Sequence, residues 1–296
     1  MGPAPGGRVI GNILSLGFCA QIVVIAVPLV LAALGGAICE RSGVIDLALE
    51  AKLLFGAFTA AAVSHATGSA YLGVAGALAA GAAVSAVQVY CALWLEADQV
   101  IVGIALNIVA LSGTRFLLQV IYHEGANSPG CPGFGDAVAT NPLIWLGALA
   151  ALCLPFAVRR TRWGLRLRAA GDRPDALAAV GASPRRARLL AGLVGGALAG
   201  AGGAQLSLSV GGFVADMSSD RGYIALAMII LAGWRPALAA LAALGMAATY
   251  ALSVQFQMAG SDLVREAAPL SPYVLTLIVL VVFKGGGNPP ASLGRL

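Results

Sequence analysis

Asp46 and Glu50 stand four residues apart, so on a helix both carboxylates would share one face. Charges inside membrane spans are costly and tend to face cavities. There a carboxylate pair can couple to protons, bind a cation or hydrogen-bond a polar solute. Arg41 and Lys52 flank the pair, which leaves open a neutralised cluster at an aqueous boundary. Gln99 and Asn107 are eight residues apart, about two helical turns, and also share a face. Side-chain amides donate and accept, which suits a neutral polar ligand and equally suits bonding between helices. Arg115 reads as snorkelling to the outer surface or as paired. His65 and His123 fall at loop edges without a companion, and the five cysteines lack any metal or redox spacing, so no metal site is expected. The sequence contains no G-x-x-x-x-G-K-S/T, H-E-x-x-H or G-x-S-x-G motif. No catalytic residue and no cofactor are expected, and any energy from ATP must come through another chain.

The elements that position these residues are apolar helices. Of 296 residues, 59% are hydrophobic and 10% charged, and the mean hydropathy is +0.89. A soluble domain carries about 25% charged residues, so that class is excluded, as are disorder and a disulfide scaffold. Val9–Cys39, Leu53–Leu95, Ala137–Val158, Leu189–Ala215, Pro236–Ser261 and Ala267–Phe283 are all free of charge. With about 20 apolar residues needed per span, the expectation is an all-α polytopic membrane bundle of about eight to ten transmembrane segments, some broken. The first segment runs from about Gly11 to Ile38, and no cleaved signal peptide is read before it. A single transmembrane domain is expected over 1–296.

Between Arg159 and Arg188 lie nine arginines and two aspartates, a local +7 against +5 for the whole chain. The positive-inside rule places 159–188 on the cytoplasmic side. Nucleic-acid binding is set aside because no aromatic residues are interleaved with the basic ones. Within this loop Asp172 is read as N-cap, Pro174 in the first turn and Gly181 as the stop of a two-turn helix, in an otherwise extended segment. The Gly/Pro-rich stretch His123–Asn141 falls outside as an exposed loop. Leu189–Val210 carries two small-residue faces, Gly192/Gly196/Gly200 and Gly195/Ala199/Gly203, suited to close helix packing.

Two apolar segments are interrupted, one in each half: Glu40–Lys52 and Asp216–Pro236. Such breaks are tolerated at membrane depth where they line a cavity, and are a mark of transporters. Gly222–Gly233 has 12 residues, about 18 Å, too short for a hydrocarbon core of about 30 Å. It is therefore predicted as a half-helix whose positive end, near Arg221 and Gly222, offers backbone donors to a solute or to a neighbouring carboxylate.

The run Glu40-Arg41-Ser42-Gly43-Val44-Ile45-Asp46-Leu47-Ala48-Leu49-Glu50 resembles the signature of ABC importer permeases of the nucleoside and simple-sugar group, related to branched-chain amino-acid permeases. Asp98-Gln99-Val100-Ile101-Val102-Gly103-Ile104-Ala105-Leu106-Asn107, Arg168–Ser183 and Arg221-Gly222-Tyr223-Ile224-Ala225-Leu226-Ala227 resemble further motifs of that group in the same order. The sequence departs from the pattern at Asp46 (usually Asn), at Ala51 and Lys52 (usually Gly and an apolar residue) and at Asp220 (usually Gly).

The resemblance implies a permease subunit, most simply for nucleosides, with simple sugars or another small polar solute as alternatives. An ion- or proton-coupled secondary transporter, with Asp46 and Glu50 as coupling carboxylates, is the competing class. The implied partners are an ABC ATPase subunit, a second identical or homologous permease, an extracytoplasmic solute-binding protein and the lipid bilayer. Asp46, Glu50, Gln99 and Asn107 are the expected solute pathway. Asp172, Pro174, Asp175, Ala178, Ala179, Gly181 and Ser183 are the expected coupling segment toward the ATPase.

Overall fold

The computed structural model of the chain describes residues 16–134, 138–259, 262–282 and 288–295. Residues 11–15 of the first expected segment and 283–287 of the tail lie outside these. The described chain is helical throughout, with no strand among the described residues beyond an isolated antiparallel bridge between Asn127 and Val214.

Among the described residues twelve α-helices follow in order: α1 (Leu16–Arg41), α2 (Leu49–Thr67), α3 (Ala70–Trp94), α4 (Gln99–Tyr122), α5 (Pro142–Arg160), α6 (Arg162–Asp172), α7 (Pro174–Ala179), α8 (Pro184–Val210), α9 (Arg221–Leu231), α10 (Pro236–Ala259), α11 (Asp262–Ala267) and α12 (Ser271–Val282). By length and composition α1, α3, α4, α5, α8 and α10 can each cross a membrane. The 19-residue α2 and the shorter α9 pack among them, and α12 packs on α9 and α10. This is the expected polytopic bundle with broken members.

Local chemistry accounts for several helix ends. Asp98 accepts from Val100 and Ile101 at the start of α4, Asn141 from Leu143 at α5, and Ser183 from Arg186 at α8, each satisfying amides that a helix leaves unpaired. Pro142 and Pro184 occupy first-turn positions, where no amide is needed.

Helix α8 is the centre of the packing. Its first small-residue face meets α3: a Cβ on Gly196 or Gly200 would collide with the backbone of Gly81 or Ala77. The second meets α1 and α2: Gly195 lies against Gly35, and Gly203 against Leu53 and Ala57. Lipid offers no hydrophobic drive between helices, so this backbone-level approach supplies the dispersion contact that holds the bundle. Ser85 adds a 2.7 Å bond to the Gly192 carbonyl.

The two ends of the bundle are distinct. At the basic end, the Arg188 guanidinium bonds the Ser42 and Ala170 carbonyls and the Ser292 hydroxyl, bringing the end of α1, the arginine-rich loop and the C-terminal tail together. At the opposite end, the loop after α4 is pinned rather than free. Ser128 and Cys131 amides bond the Phe213 and Gly211 carbonyls, and Ser64 at the end of α2 bonds the Pro132 carbonyl. With 159–188 inside, α1 runs inward, α2 outward and α8 outward.

The loop between α5 and α8 corrects the sequence reading in two respects. It is not extended, because α6 occupies its first part, and α6 ends at Asp172. Arg173, with φ −146° and ψ 74°, is the cap residue of α7, and no side chain caps that helix. Asp172 therefore does not initiate α7, and the helix has six residues, fewer than two turns. Pro174 does sit at its first turn, and Gly181 has the left-handed φ of +78° expected of a stop.

Candidate functional site

Both expected interruptions exist. The first is the turn Ser42–Ala48 between α1 and α2, in which Ser42, Val44, Asp46 and Ala48 are fully buried. Seven residues without helical bonding must satisfy their peptide groups elsewhere. The Ser42 and Gly43 amides bond back to the Cys39 and Glu40 carbonyls, the Gly43 carbonyl takes the Gly294 amide, and side chains serve several of the others. Gln99 accepts from the Ile45 amide at 2.7 Å, and Gln88 donates to the Ile45 carbonyl at 3.0 Å. Asn107 donates to the Leu47 carbonyl at 2.9 Å and accepts from the Ala51 amide at 3.0 Å. Glu40 accepts from the Asp46 amide at 3.3 Å. Between Gln99 and Asn107, Gly103 lets α4 approach; a Cβ there would come within 2.6 Å of the Leu47 Cβ.

Gln99 and Asn107 thus share a face, as their spacing predicts. That face serves the backbone of the turn, the interhelical alternative left open by the sequence.

Asp46 and Glu50 do not act together. Asp46 lies in the turn, ahead of α2, so the helical i,i+4 geometry does not apply to it. Its carboxylate pairs with Lys52, and both side chains are 0% exposed. This is the one ion pair among the described residues. Asp46 and Lys52 are also two of the departures from the family pattern, and the fold brings them into contact. A buried charge introduced at one position is neutralised by the other.

Glu50 turns the other way, to the start of α9. Its two oxygens accept the Asp220 amide at 3.1 Å and the Gly222 amide at 2.6 Å. This is the carboxylate-at-helix-start arrangement that the positive end of the half-helix predicts. A Cβ on Gly222 would come within 2.6 Å of the Glu50 Cα, so the glycine permits the approach. Asp220 adopts φ +61°, a left-handed conformation in which the family's usual glycine is unstrained.

The second interruption follows α9. Gly233 and Trp234 have φ of +59° and +57°, and α10 restarts at Pro236. No continuous helix runs from Tyr223 to Phe256. The Trp234 indole donates to the second Glu40 oxygen at 2.5 Å. Glu40 therefore holds the first turn with one oxygen and the second with the other.

Gln99 lines a cavity of about 280 Å³ with Glu96, Asp98 and Gly294, toward the basic end. The polar chain from Asn107 does reach a surface, through a group the sequence reading left without a role. Its amide donates to the Tyr223 hydroxyl at 2.9 Å, and Tyr223 is 41% exposed. Tyr223 and Asp220 line an open cavity of about 370 Å³ with Tyr273 and Thr276. The signal for Tyr223 lay in the Arg221-Gly222-Tyr223 motif. Its position two residues after the half-helix start places it there.

In the coupling segment, α7 buries Leu177 and leaves Asp175, Ala178, Ala179 and Gly181 exposed, with Val180 78% exposed. Asp172 is exposed at the end of α6, and Ser183 caps α8. No group of three or more metal-binding side chains occurs among the described residues.

The family model described as branched-chain amino acid transport system / permease component matches residues 18–283. The chain is 29% identical to the guanosine ABC transporter permease protein NupQ of Bacillus subtilis, over 92% of this chain and 93% of that one. It is also 29% identical to the nucleoside ABC transporter permease protein NupC of Lactococcus lactis, over 93% and 94%. A putative glucose ABC transporter permease protein of Haloferax volcanii, TsgC13, is 33% identical over 71% and 69%. No solved structure matches the chain.

Proposed function

This chain belongs to the branched-chain amino acid transport system permease family of ABC transporters, and we propose that the solute it imports is a nucleoside. It is a multi-pass subunit of the plasma membrane and not itself an enzyme. Permeases of this family work with ATPase subunits and a solute-binding protein.

The nucleoside reading is carried by the two relatives named for guanosine and nucleoside transport, which align over more than nine-tenths of the chain. The geometry supports it. Tyr223 presents a phenol ring beside the backbone of Asp220, and Asn107 holds its hydroxyl from behind. The cavity is largely apolar, with the Tyr223 and Tyr273 rings suited to stacking on a nucleobase, and Asp220 and Thr276 in its lining can hydrogen-bond ribose hydroxyls. In this reading Tyr223 meets the solute, Glu50 and Asn107 set the wall behind it, and Gln99 and Asp46 hold the turn. A glucose-type solute is the second reading, favoured by the Haloferax relative.

Uptake of radiolabelled guanosine by cells carrying the intact transporter, compared with a permease deletion, tests the assignment. Guanosine uptake that depends on the permease and resists excess glucose is expected. Glucose uptake without guanosine uptake would replace it by the second reading.

The exposed Ala178 and Ala179 of α7, with Val180 just after it, form the surface assigned to the ATPase, beside a cavity of about 430 Å³ lined by Leu177, Val180 and Trp163. Ala178→Glu or Ala179→Glu is expected to leave insertion intact and abolish co-purification with the ATPase. Normal co-purification would refute that docking role.

A further inference from the structure

At the basic end, four arginines, three from helices and one from the turn before α10, surround one small pocket. Arg41 ends α1, Arg159 lies in the last turn of α5, Arg168 is in α6, and Arg235 precedes α10. They line a cavity of about 110 Å³ floored by Pro155, Val158, Pro236 and Ala237. Of the charges acting on Arg41 the Asp172 carboxylate is the largest single one, and it is opposed by three, those of Arg168, Arg235 and Arg159. Asp172 is itself exposed to solvent and forms no ion pair with any of them. The Nε atoms of Arg41 and Arg168 are buried and have no hydrogen-bond partner. Arg168 Nη2 reaches only the Arg159 carbonyl, at 3.5 Å.

Gathering like charges around buried, unused donors is unfavourable unless an anion completes the set. Guanidinium forks match phosphate oxygens two at a time, and four of them supply more donors than one carboxylate can use. The volume is that of a few water molecules, the scale of a single phosphate group and too small for a nucleoside. Its floor is apolar and belongs to the ends of spanning helices. A second cavity, lined by Pro155, Phe156, Arg159 and Arg160, shares Pro155 and Arg159 with it, and Phe156 and Leu152 are exposed on α5. That places the pocket at headgroup depth on the cytoplasmic leaflet, with an apolar surface running away from it into the membrane.

We propose that Arg41, Arg159, Arg168 and Arg235 form a phosphate-binding site, occupied by the headgroup of an anionic phospholipid of the inner leaflet. The ligand ties α1 and α10 to α6, and α6 leads directly into α7. The site thus braces the loop that carries the ATPase-docking surface. Inorganic phosphate offers the same chemistry from solution, and the test separates the two sources.

The full-length permease is placed in nanodiscs of phosphatidylcholine, with or without phosphatidylglycerol, and its thermal midpoint and retained lipid are measured. Phosphatidylglycerol is expected to raise the midpoint and to remain bound in native mass spectrometry. Arg168→Gln/Arg235→Gln removes that rise and lowers retention about tenfold. Arg162→Gln/Arg185→Gln, which removes the same charge outside the pocket, preserves both. Should the pocket variant fail to insert, Arg235→Gln alone, at an exposed position, carries the same comparison. In phosphatidylcholine discs, a midpoint raised by inorganic phosphate in the wild type and not in the pocket variant would assign the site to soluble phosphate. Equal responses from the two double variants, or no response to either ligand, would overturn the proposal.

Discussion

The turn Ser42–Ala48 and the turn after α9 both interrupt an apolar segment, yet they are built by different means. In the first, side chains from α1, α3, α4 and α8 each take a backbone group: Glu40, Gln88, Gln99, Asn107 and Arg188. In the second, the bonds are local, from Gly233 to Ile230 and from Trp234 to Ile229, and one side-chain bond reaches outward to Glu40. The seven-residue break closes on itself only at Ser42 and Gly43, whose amides bond the Cys39 and Glu40 carbonyls, whereas a tight left-handed turn closed by proline largely bonds itself. Glu40 joins the two, so the long break also carries part of the short one.

Variants can break this contrast in order of expected size. Lys52→Leu leaves the Asp46 carboxylate buried and unpaired and should cost about 4 kcal/mol. The family-like double variant Asp46→Asn/Lys52→Leu should recover most of that loss in a thermal-melting series in detergent. Equal melting of the single and double variants would show that the pair is not coupled. Asn107→Leu orphans the Leu47 carbonyl and the Ala51 amide and should cost about 3 kcal/mol, with transport lost as well. Folding and uptake both unchanged would remove Asn107 from the turn and from the pathway.

Trp234→Phe replaces the indole by a smaller aromatic ring and deletes one charge-assisted bond. It should lower stability by about 2 kcal/mol or less, smaller than either change at the first turn. A larger loss than that of Asn107→Leu would reverse the comparison. Asp220→Gly relieves a left-handed residue at the start of α9 and should change stability by less than about 1 kcal/mol, in the stabilising direction. A marked drop in melting temperature would mean that the Asp220 side chain, and not its amide, is what α9 needs.

Much of this was legible in the amino-acid order. Apolar length set the spans, the arginines of 159–188 set the inside, and Gly233 with Pro236 marked the second break. The glycine spacing of α8 showed two packing faces, and its motifs placed the chain in its family. These signals are local, because span length, helix period and turn chemistry act over a few residues. Partner choice among polar side chains was not local. Asp46 and Glu50 stand one helical turn apart in sequence, but Asp46 lies in the turn and pairs with Lys52, while Glu50 reaches Gly222, 172 residues away. Nothing in the spacing could reveal that Gln99 and Asn107 serve the backbone of another segment, or that Arg41, Arg159, Arg168 and Arg235 converge. Those contacts exist only once the helices have packed, since excluding water is what obliges each buried donor and acceptor to find its partner.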